Sequence, residues 1–118
     1  MKFLKLLWLP VALVLALAWM SRGSASHARV SSAEAHRLVG SGARLVDVRA
    51  SFEFAAGHIP GAINLPVQQV RERQQELGPK DKPIVVYCRS GHRSQVAYDE
   101  LKSAGFTQLY DLGPMTAW

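Results

Sequence analysis

The sequence predicts an α/β fold in which a small, mostly parallel sheet carries helices on both faces. Short apolar runs alternate with helix-forming segments along the 118-residue chain. The run at residues 84–87 is apolar at every position, which is typical of a strand covered on both sides in a parallel sheet. Right-handed crossovers would gather the strand-to-helix loops at one edge of that sheet.

The first residues predict a secretory signal peptide. Lys2 and Lys5 precede an apolar run at residues 6–20, and small residues suited to cleavage follow it. We assign residues 1–25 to the signal peptide and residues 26–118 to one domain. The alternative is an uncleaved membrane anchor, since the 15-residue run falls between a signal h-region and a full span. Either interpretation places the domain outside the cytoplasm, and we expect it in the periplasm.

Charge argues against a nucleic-acid partner. The net charge is +5, but three of the fourteen basic residues and none of the nine acidic ones lie in the first 25 residues, which leaves +2. The rest of the chain has no basic stripe interleaved with aromatic residues. The basic charge that remains is local to one loop, which suits a small anionic substrate.

The first half of the domain predicts two helices and two strands. Ser31 and Glu34 have the spacing of a capping box, so a helix is expected up to Gly40. Residues 45–48 predict a buried strand with Asp47 near its carboxyl end. One or two helical turns are expected at residues 51–56, and a second strand at residues 62–65.

The second half predicts two longer helices around the central strand. Pro66 is expected to open a helix whose buried face contains Val67, Val70, Gln74 and Leu77. After the strand at residues 84–87, Ser94 is the expected N-cap of the next helix. Its apolar face would be formed by Val96, Ala97, Leu101 and Ala104. Residues 107–111 predict the last strand.

Cys88 is the single cysteine, and it follows the central strand directly. A lone cysteine cannot form an internal disulfide, which leaves a buried inert residue or a reactive thiol. A free thiol in an oxidising compartment risks oxidation, so the reactive role is favoured.

The loop after Cys88 suits a nucleophile. It reads Cys88 Arg89 Ser90 Gly91 His92 Arg93 Ser94. Glycine in such a strand–loop–helix lets successive backbone N–H groups turn inward and form an anion-binding nest. The nest, the helix N-terminus and the two arginines would all favour an ionised thiol.

Several motifs together resemble the rhodanese homology domain. They comprise residues 47–49, Glu53, residues 57–66, the loop at residues 88–94 and residues 112–118. The resemblance runs from about residue 31 to residue 118 and is strongest to short, exported, single-domain bacterial rhodaneses. Four motifs in the same order and spacing are far more specific than the cysteine loop alone.

The resemblance implies a thiosulfate sulfurtransferase that works without a cofactor or metal. Cys88 would attack a sulfane donor such as thiosulfate, carry the sulfur as a persulfide and pass it to cyanide or a thiol. The implied substrate-binding residues are Arg89, Ser90, Gly91, His92 and Arg93. The implied supporting residues are Asp47, Arg49, Glu53, His58 and Ser94, with His58 expected to cap the turn at residues 59–60. We expect a monomer without nucleic-acid partners, and membrane contact only if the N-terminal segment is retained.

The sequence leaves two other functions open. Some rhodanese-like domains lack the cysteine and act as binding modules, whereas this chain has both the cysteine and the arginines. Related phosphatases and arsenate reductases have five residues between cysteine and arginine, and here only four separate Cys88 from Arg93. A shorter loop forms a smaller nest, which fits one sulfur atom better than a tetrahedral anion. Pro114 departs from the family pattern, which commonly has a second glycine there.

Overall fold

A computed structural model describes residues 28–118, so the predicted signal peptide lies outside the described residues. The helices are α1 (Ser32–Gly40), α2 (Ser51–Ala56), α3 (Val70–Arg73) and α4 (His92–Ser103). The strands are β1 (Arg44–Asp47), β2 (Ile63–Asn64), β3 (Ile84–Cys88) and β4 (Leu109–Pro114). Short 3-10 turns occupy Val67–Gln69, Gln74–Leu77 and Met115–Ala117.

The four strands form one parallel sheet in the order β2-β1-β3-β4. Strand β3 lies inside the sheet and is buried along its whole length, as its unbroken apolar run predicts. In the register, Asp47 lies beside Tyr87, and Cys88 lies beside Pro114. The carboxyl ends of β1, β3 and β4 therefore meet at one edge, and the α/β prediction is confirmed.

Alternating side chains of the sheet divide the core into two layers. On one face Val46 and Val86 pack against residues of α3 and α4, including Val70, Ala97 and Leu101. On the other face Leu45, Val85 and Tyr87 pack against α1 through Ala35 and Leu38. This alternation follows from the two-residue period of a strand. Helices cover both faces, as predicted.

Helix α1 begins where the Ser31 motif predicts. Ser31 is the N-cap, and its Oγ accepts a hydrogen bond of 3.1 Å from the backbone N–H of Glu34. That bond satisfies one of the amides that a helix start leaves unpaired. The Glu34 carboxylate binds Arg37 in the next turn, at 2.9 Å from Nε.

The predicted start of α4 is wrong by three residues. Gly91 is the N-cap and the helix begins at His92, whereas Ser94 was expected at the cap. Gly91 has φ of +105°, which brings the chain into the helix earlier than a non-glycine residue would allow. Ser94 is instead buried in the first turn, where its Oγ donates to the Gly91 carbonyl at 3.1 Å.

One residue of the predicted apolar face of α4 points to solvent. Val96 is 39% exposed, whereas Ala97 and Leu101 are buried. Residues 94, 97 and 101 follow the three- and four-residue spacing that puts side chains on one helix face, and Val96 lies off that face.

Several element bounds also differ from the prediction. The helix expected after Pro66 is a short α-helical segment between two 3-10 turns, although Val70 and Leu77 are buried as expected. Strand β2 contains only two residues. Strand β4 begins at Leu109 because Thr107 belongs to the preceding turn, where its N–H donates to the Lys80 carbonyl. Within residues 28–118, no helix is long and apolar enough to cross a bilayer.

Candidate active site

Cys88 is the last residue of β3 and lies at the edge where the strands end. Its side chain is buried, and the chain turns directly from it into α4. Ligands of parallel α/β sheets commonly bind outside the carboxyl ends of the strands. The fold therefore places the thiol where sequence analysis expects a functional group.

The loop curls back over the sulfur. The backbone N–H of Gly91 donates a hydrogen bond of 2.9 Å to Cys88 Sγ. The Ser94 hydroxyl donates to the Gly91 carbonyl, and this bond holds the cysteine loop against the first turn of α4. This geometry brings a backbone donor and a helix N-terminus to the thiol, an arrangement that favours negative charge at that position.

Arg93 forms an ion pair with Glu53 of α2. Its Nη1 lies 2.6 Å from Oε1 and its Nη2 lies 3.1 Å from Oε2. The hydrogen bond from Arg93 and, to a smaller extent, the one from the Ala50 backbone N–H lower the pKa of Glu53 to about 2. The same contact raises the pKa of Arg93. The pair links α2 to the first turn of α4, directly after the cysteine loop.

Asp47 and Arg49 form a second ion pair, which is buried. Arg49 donates from its backbone N–H and Nε to Asp47 Oδ1, at 2.9 and 3.0 Å, and from Nη2 to Oδ2 at 2.7 Å. Its Nη2 also donates to the Gly57 carbonyl at 2.7 Å. The Asp47 carboxylate raises the pKa of Arg49. The pair joins the end of β1 to the turn after α2, below the cysteine loop.

Two contacts of this network involve residues that sequence reasoning did not single out. Asn64 Nδ2 donates to the carbonyls of Asp47 and Arg49, at 3.0 Å each. The Tyr87 hydroxyl accepts from the Ile59 N–H at 3.1 Å, and burial raises the pKa of Tyr87 to about 12. Asn64 lies within the 57–66 motif, which was a usable signal. No sequence signal indicated the role of the Tyr87 hydroxyl, because Tyr87 belongs to an apolar strand.

His58 does not cap the turn at residues 59–60. Its Nδ1 lies 2.8 Å from the Phe54 carbonyl, and its ring stacks on the Phe54 ring at 3.6 Å. It therefore completes the end of α2, one turn before the predicted position.

The other predicted binding residues lie at the surface. Arg89, Ser90 and His92 are exposed. Arg89 borders an open cleft of about 760 Å³ beside the loop, whose apolar wall includes Phe52 and Met115. Phe52 is 77% exposed, so the cleft has an uncovered aromatic rim. The structure thus brings Cys88 and Gly91 into direct contact and places Arg89 at the cleft beside the loop.

A metal centre has no support in the part of the chain that the structure describes. No three histidine, cysteine, aspartate or glutamate side chains gather there in a way that could hold a metal ion.

Comparison with known proteins gives consistent matches. The family model for the Rhodanese-like domain matches residues 31–118. The chain is 42% identical over 77 residues to the uncharacterized protein YqhL of Bacillus subtilis, covering 64% of this chain but only 60% of that protein. It is 34% identical over 91 residues to the thiosulfate sulfurtransferase GlpE of Stutzerimonas stutzeri, covering 76% and 83% of the two chains.

The fold also has solved relatives. The human single-domain sulfurtransferase TSTD1 matches with a TM-score of 0.66 and 32% identity, covering 80% of this chain and 93% of that one. This likeness agrees with the parallel α/β fold described above.

Proposed function

Because the chain belongs to the rhodanese-like domain family, we propose that it is a sulfurtransferase that carries sulfane sulfur on Cys88. Thiosulfate is the proposed donor, and cyanide or a small thiol is the proposed acceptor. The hydrogen bond from the Gly91 N–H to Cys88 Sγ is the observation that carries this proposal. A backbone donor at 2.9 Å stabilises negative charge on that sulfur and on a second sulfur bound to it.

The proposed reaction has two displacement steps. In the first, the Cys88 thiolate attacks the outer sulfur of thiosulfate. A bond forms between Sγ and that sulfur, the sulfur–sulfur bond of thiosulfate breaks, and its electron pair leaves with sulfite. In the second, the acceptor attacks the terminal sulfur, and the electron pair of the persulfide bond returns to Sγ. Cyanide leaves as thiocyanate, and the thiolate is regenerated without a net redox change.

The charged groups around the loop support an anionic donor. Sulfite leaves as an anion, so fixed cations beside the sulfur favour the first step. Arg89 follows Cys88 in the loop and lines the cleft beside it. Arg93 is held by Glu53, which keeps its guanidinium within the loop region in one orientation. Neither step needs a cofactor, since the sulfur atom itself is the group transferred.

The test is direct detection of the intermediate. The purified domain is incubated with thiosulfate and its intact mass is measured, with Cys88→Ser as the matched control. We expect an adduct of one sulfur atom on the wild type and none on the variant. Adding cyanide should remove the adduct and release thiocyanate. Wild-type protein without the adduct would point instead to a non-catalytic binding module, and an adduct that persists in Cys88→Ser would exclude Cys88 as the carrier.

Export of the domain is a further part of the proposal. It is supported by the order of residue types in residues 1–25, where lysines are followed by an apolar run and then by small residues. Fractionation of the native host and the intact mass of the recovered protein would test it. A periplasmic product shortened by about 25 residues is expected for a cleaved signal peptide, and a full-length membrane-bound product for an anchor. Recovery from the cytoplasm would contradict both.

A further inference from the structure

Arg29, in the segment ahead of α1, extends its side chain over the cysteine loop. A Cβ atom added at Gly91 would lie 2.7 Å from Arg29 Cζ, and one added at Gly113 would lie 2.8 Å from Arg29 Cδ. The side chain therefore lies directly against both glycines. Gly113 pairs with Tyr87 across the sheet, next to Cys88.

The position of Arg29 is close to the sulfur. Gly91, which the guanidinium contacts, is also the residue whose N–H donates to Cys88 Sγ at 2.9 Å. Standard bond lengths then limit the distance from Arg29 Cζ to the sulfur to less than about 9 Å. That is comparable to the Debye length at physiological ionic strength, about 8 Å, so the charge is felt at the thiol.

The arginines around the site differ in whether a carboxylate neutralises them. Arg49 is paired with Asp47, and Arg93 is paired with Glu53. Within residues 28–118, the side chains of Arg29 and Arg89 form neither a hydrogen bond nor an ion pair. In the described part of the chain, Arg29 and Arg89 are therefore the arginines beside the loop that have no carboxylate paired with them. The nearest buried carboxylate, Asp111, accepts from the Gly113 N–H at 2.8 Å and so lies within about 9 Å of Arg29 Cζ. Only Arg89 belongs to the loop itself.

We propose that Arg29 is a donor-binding residue, whose guanidinium holds the anionic end of the sulfur donor while its outer sulfur reaches Cys88. This inference rests on the proposed function and names a binding group outside the loop. It also gives Gly91 and Gly113 a shared role. The absence of a Cβ at both positions leaves the space in which the Arg29 side chain lies.

A purely structural role for Arg29 makes different predictions. If its aliphatic stem only covered the two glycines, an uncharged side chain of similar length would replace it without effect on the thiol. Arg29→Met retains the stem and removes the charge, whereas Arg29→Lys retains both the stem and a charge. Arg71→Met serves as the matched control, since Arg71 is a surface arginine on α3.

The experiment measures the rates at which Cys88 is alkylated by iodoacetate, an anion, and by iodoacetamide, which is neutral. For Arg29→Met at low ionic strength we expect the iodoacetate-to-iodoacetamide ratio to fall about three- to tenfold. Arg29→Lys should retain most of the ratio, and Arg71→Met should retain all of it. The loss should shrink in high salt. With thiosulfate as substrate, Arg29→Met should raise KM about tenfold with little change in kcat.

The two proposals fail in different ways. Failure of the wild type to form the one-sulfur adduct would overturn the proposed sulfurtransferase, while the alkylation ratio would still report the charge at Cys88. An unchanged ratio in Arg29→Met, or no alkylation of Cys88 by either reagent, would overturn the role of Arg29. A rise in KM with an unchanged ratio would also count against it, because the charge would then not act at the sulfur.

Discussion

Replacing Glu53 by glutamine removes the charge that holds Arg93 while preserving the shape of the side chain. The pKa of Glu53 falls from 4.5 to about 2, which as a full linkage effect corresponds to roughly 3 kcal/mol of stability at neutral pH. The two side chains are still 17% and 30% exposed, and solvent screening reduces this to about 1–2 kcal/mol. For a domain of this size, Glu53→Gln should lower Tm by roughly 5–15 °C at neutral pH.

The assay is urea or thermal unfolding of wild type and Glu53→Gln at several pH values. A carboxylate with a lowered folded-state pKa stabilises the fold above its unfolded pKa, here 4.5, and the stabilisation is lost as pH falls toward about 2. The difference between the two proteins should therefore be complete above about pH 6 and less than half as large near pH 3. An equal difference at both pH values would refute the argument that the ion pair is its source.

A second arginine–glutamate pair provides the control. Arg71 Nη2 lies 2.8 Å from Glu100 Oε2, but the side chains are 78% and 33% exposed. Glu100→Gln should therefore cost less than about 0.5 kcal/mol at any pH. A control as destabilised as Glu53→Gln would show that partial burial does not distinguish the two pairs.

Three further changes test other parts of the site. Asp47→Asn leaves the Arg49 guanidinium buried without its charge partner, so urea unfolding should show a loss of about 3–5 kcal/mol, and a loss below about 1 kcal/mol would contradict the buried pair. Gly91→Ala should lower the free energy of unfolding by about 1–3 kcal/mol, because the backbone there has φ of +105°, and it should also slow adduct formation with thiosulfate. The control Gly42→Ala, at φ +104° in open space, should lower stability without slowing adduct formation. Spectrophotometric titration should show one of the three tyrosines ionising only near pH 12, and this late step should be absent from Tyr87→Phe.

The sequence predicts best where a short local pattern identifies the element. The apolar run of β3, the helix start at Ser31 and the short helix before Gly57 all appear at the expected positions. The two helices depend on contacts within a few residues along the chain, whereas β3 is recognised by its unbroken apolar run and pairs with the distant strands β1 and β4. The start of α4 is predicted less well. Ser94 is a typical N-cap residue, but the chain enters the helix three residues earlier, at Gly91, through a backbone turn that the sequence pattern does not show.

Burial on a helix face depends on what the helix packs against. Val96 has the same hydrophobic character as its neighbours in sequence, yet it faces solvent. The packing of α4 on β3 and β4 selects the face of Ala97 and Leu101. Composition alone does not contain that information.

The α/β fold, the position of Cys88 after the central strand and the basic character of its loop are predictable from local sequence patterns. Tertiary structure decided which cations are available. Glu53 lies 40 residues before Arg93 and still forms its ion pair, and Arg29 lies against the loop although it precedes α1 in the sequence. Whether a carboxylate neutralises an arginine depends on the distance between them in space. Folding of the parallel sheet sets that distance for residues that are far apart in the sequence.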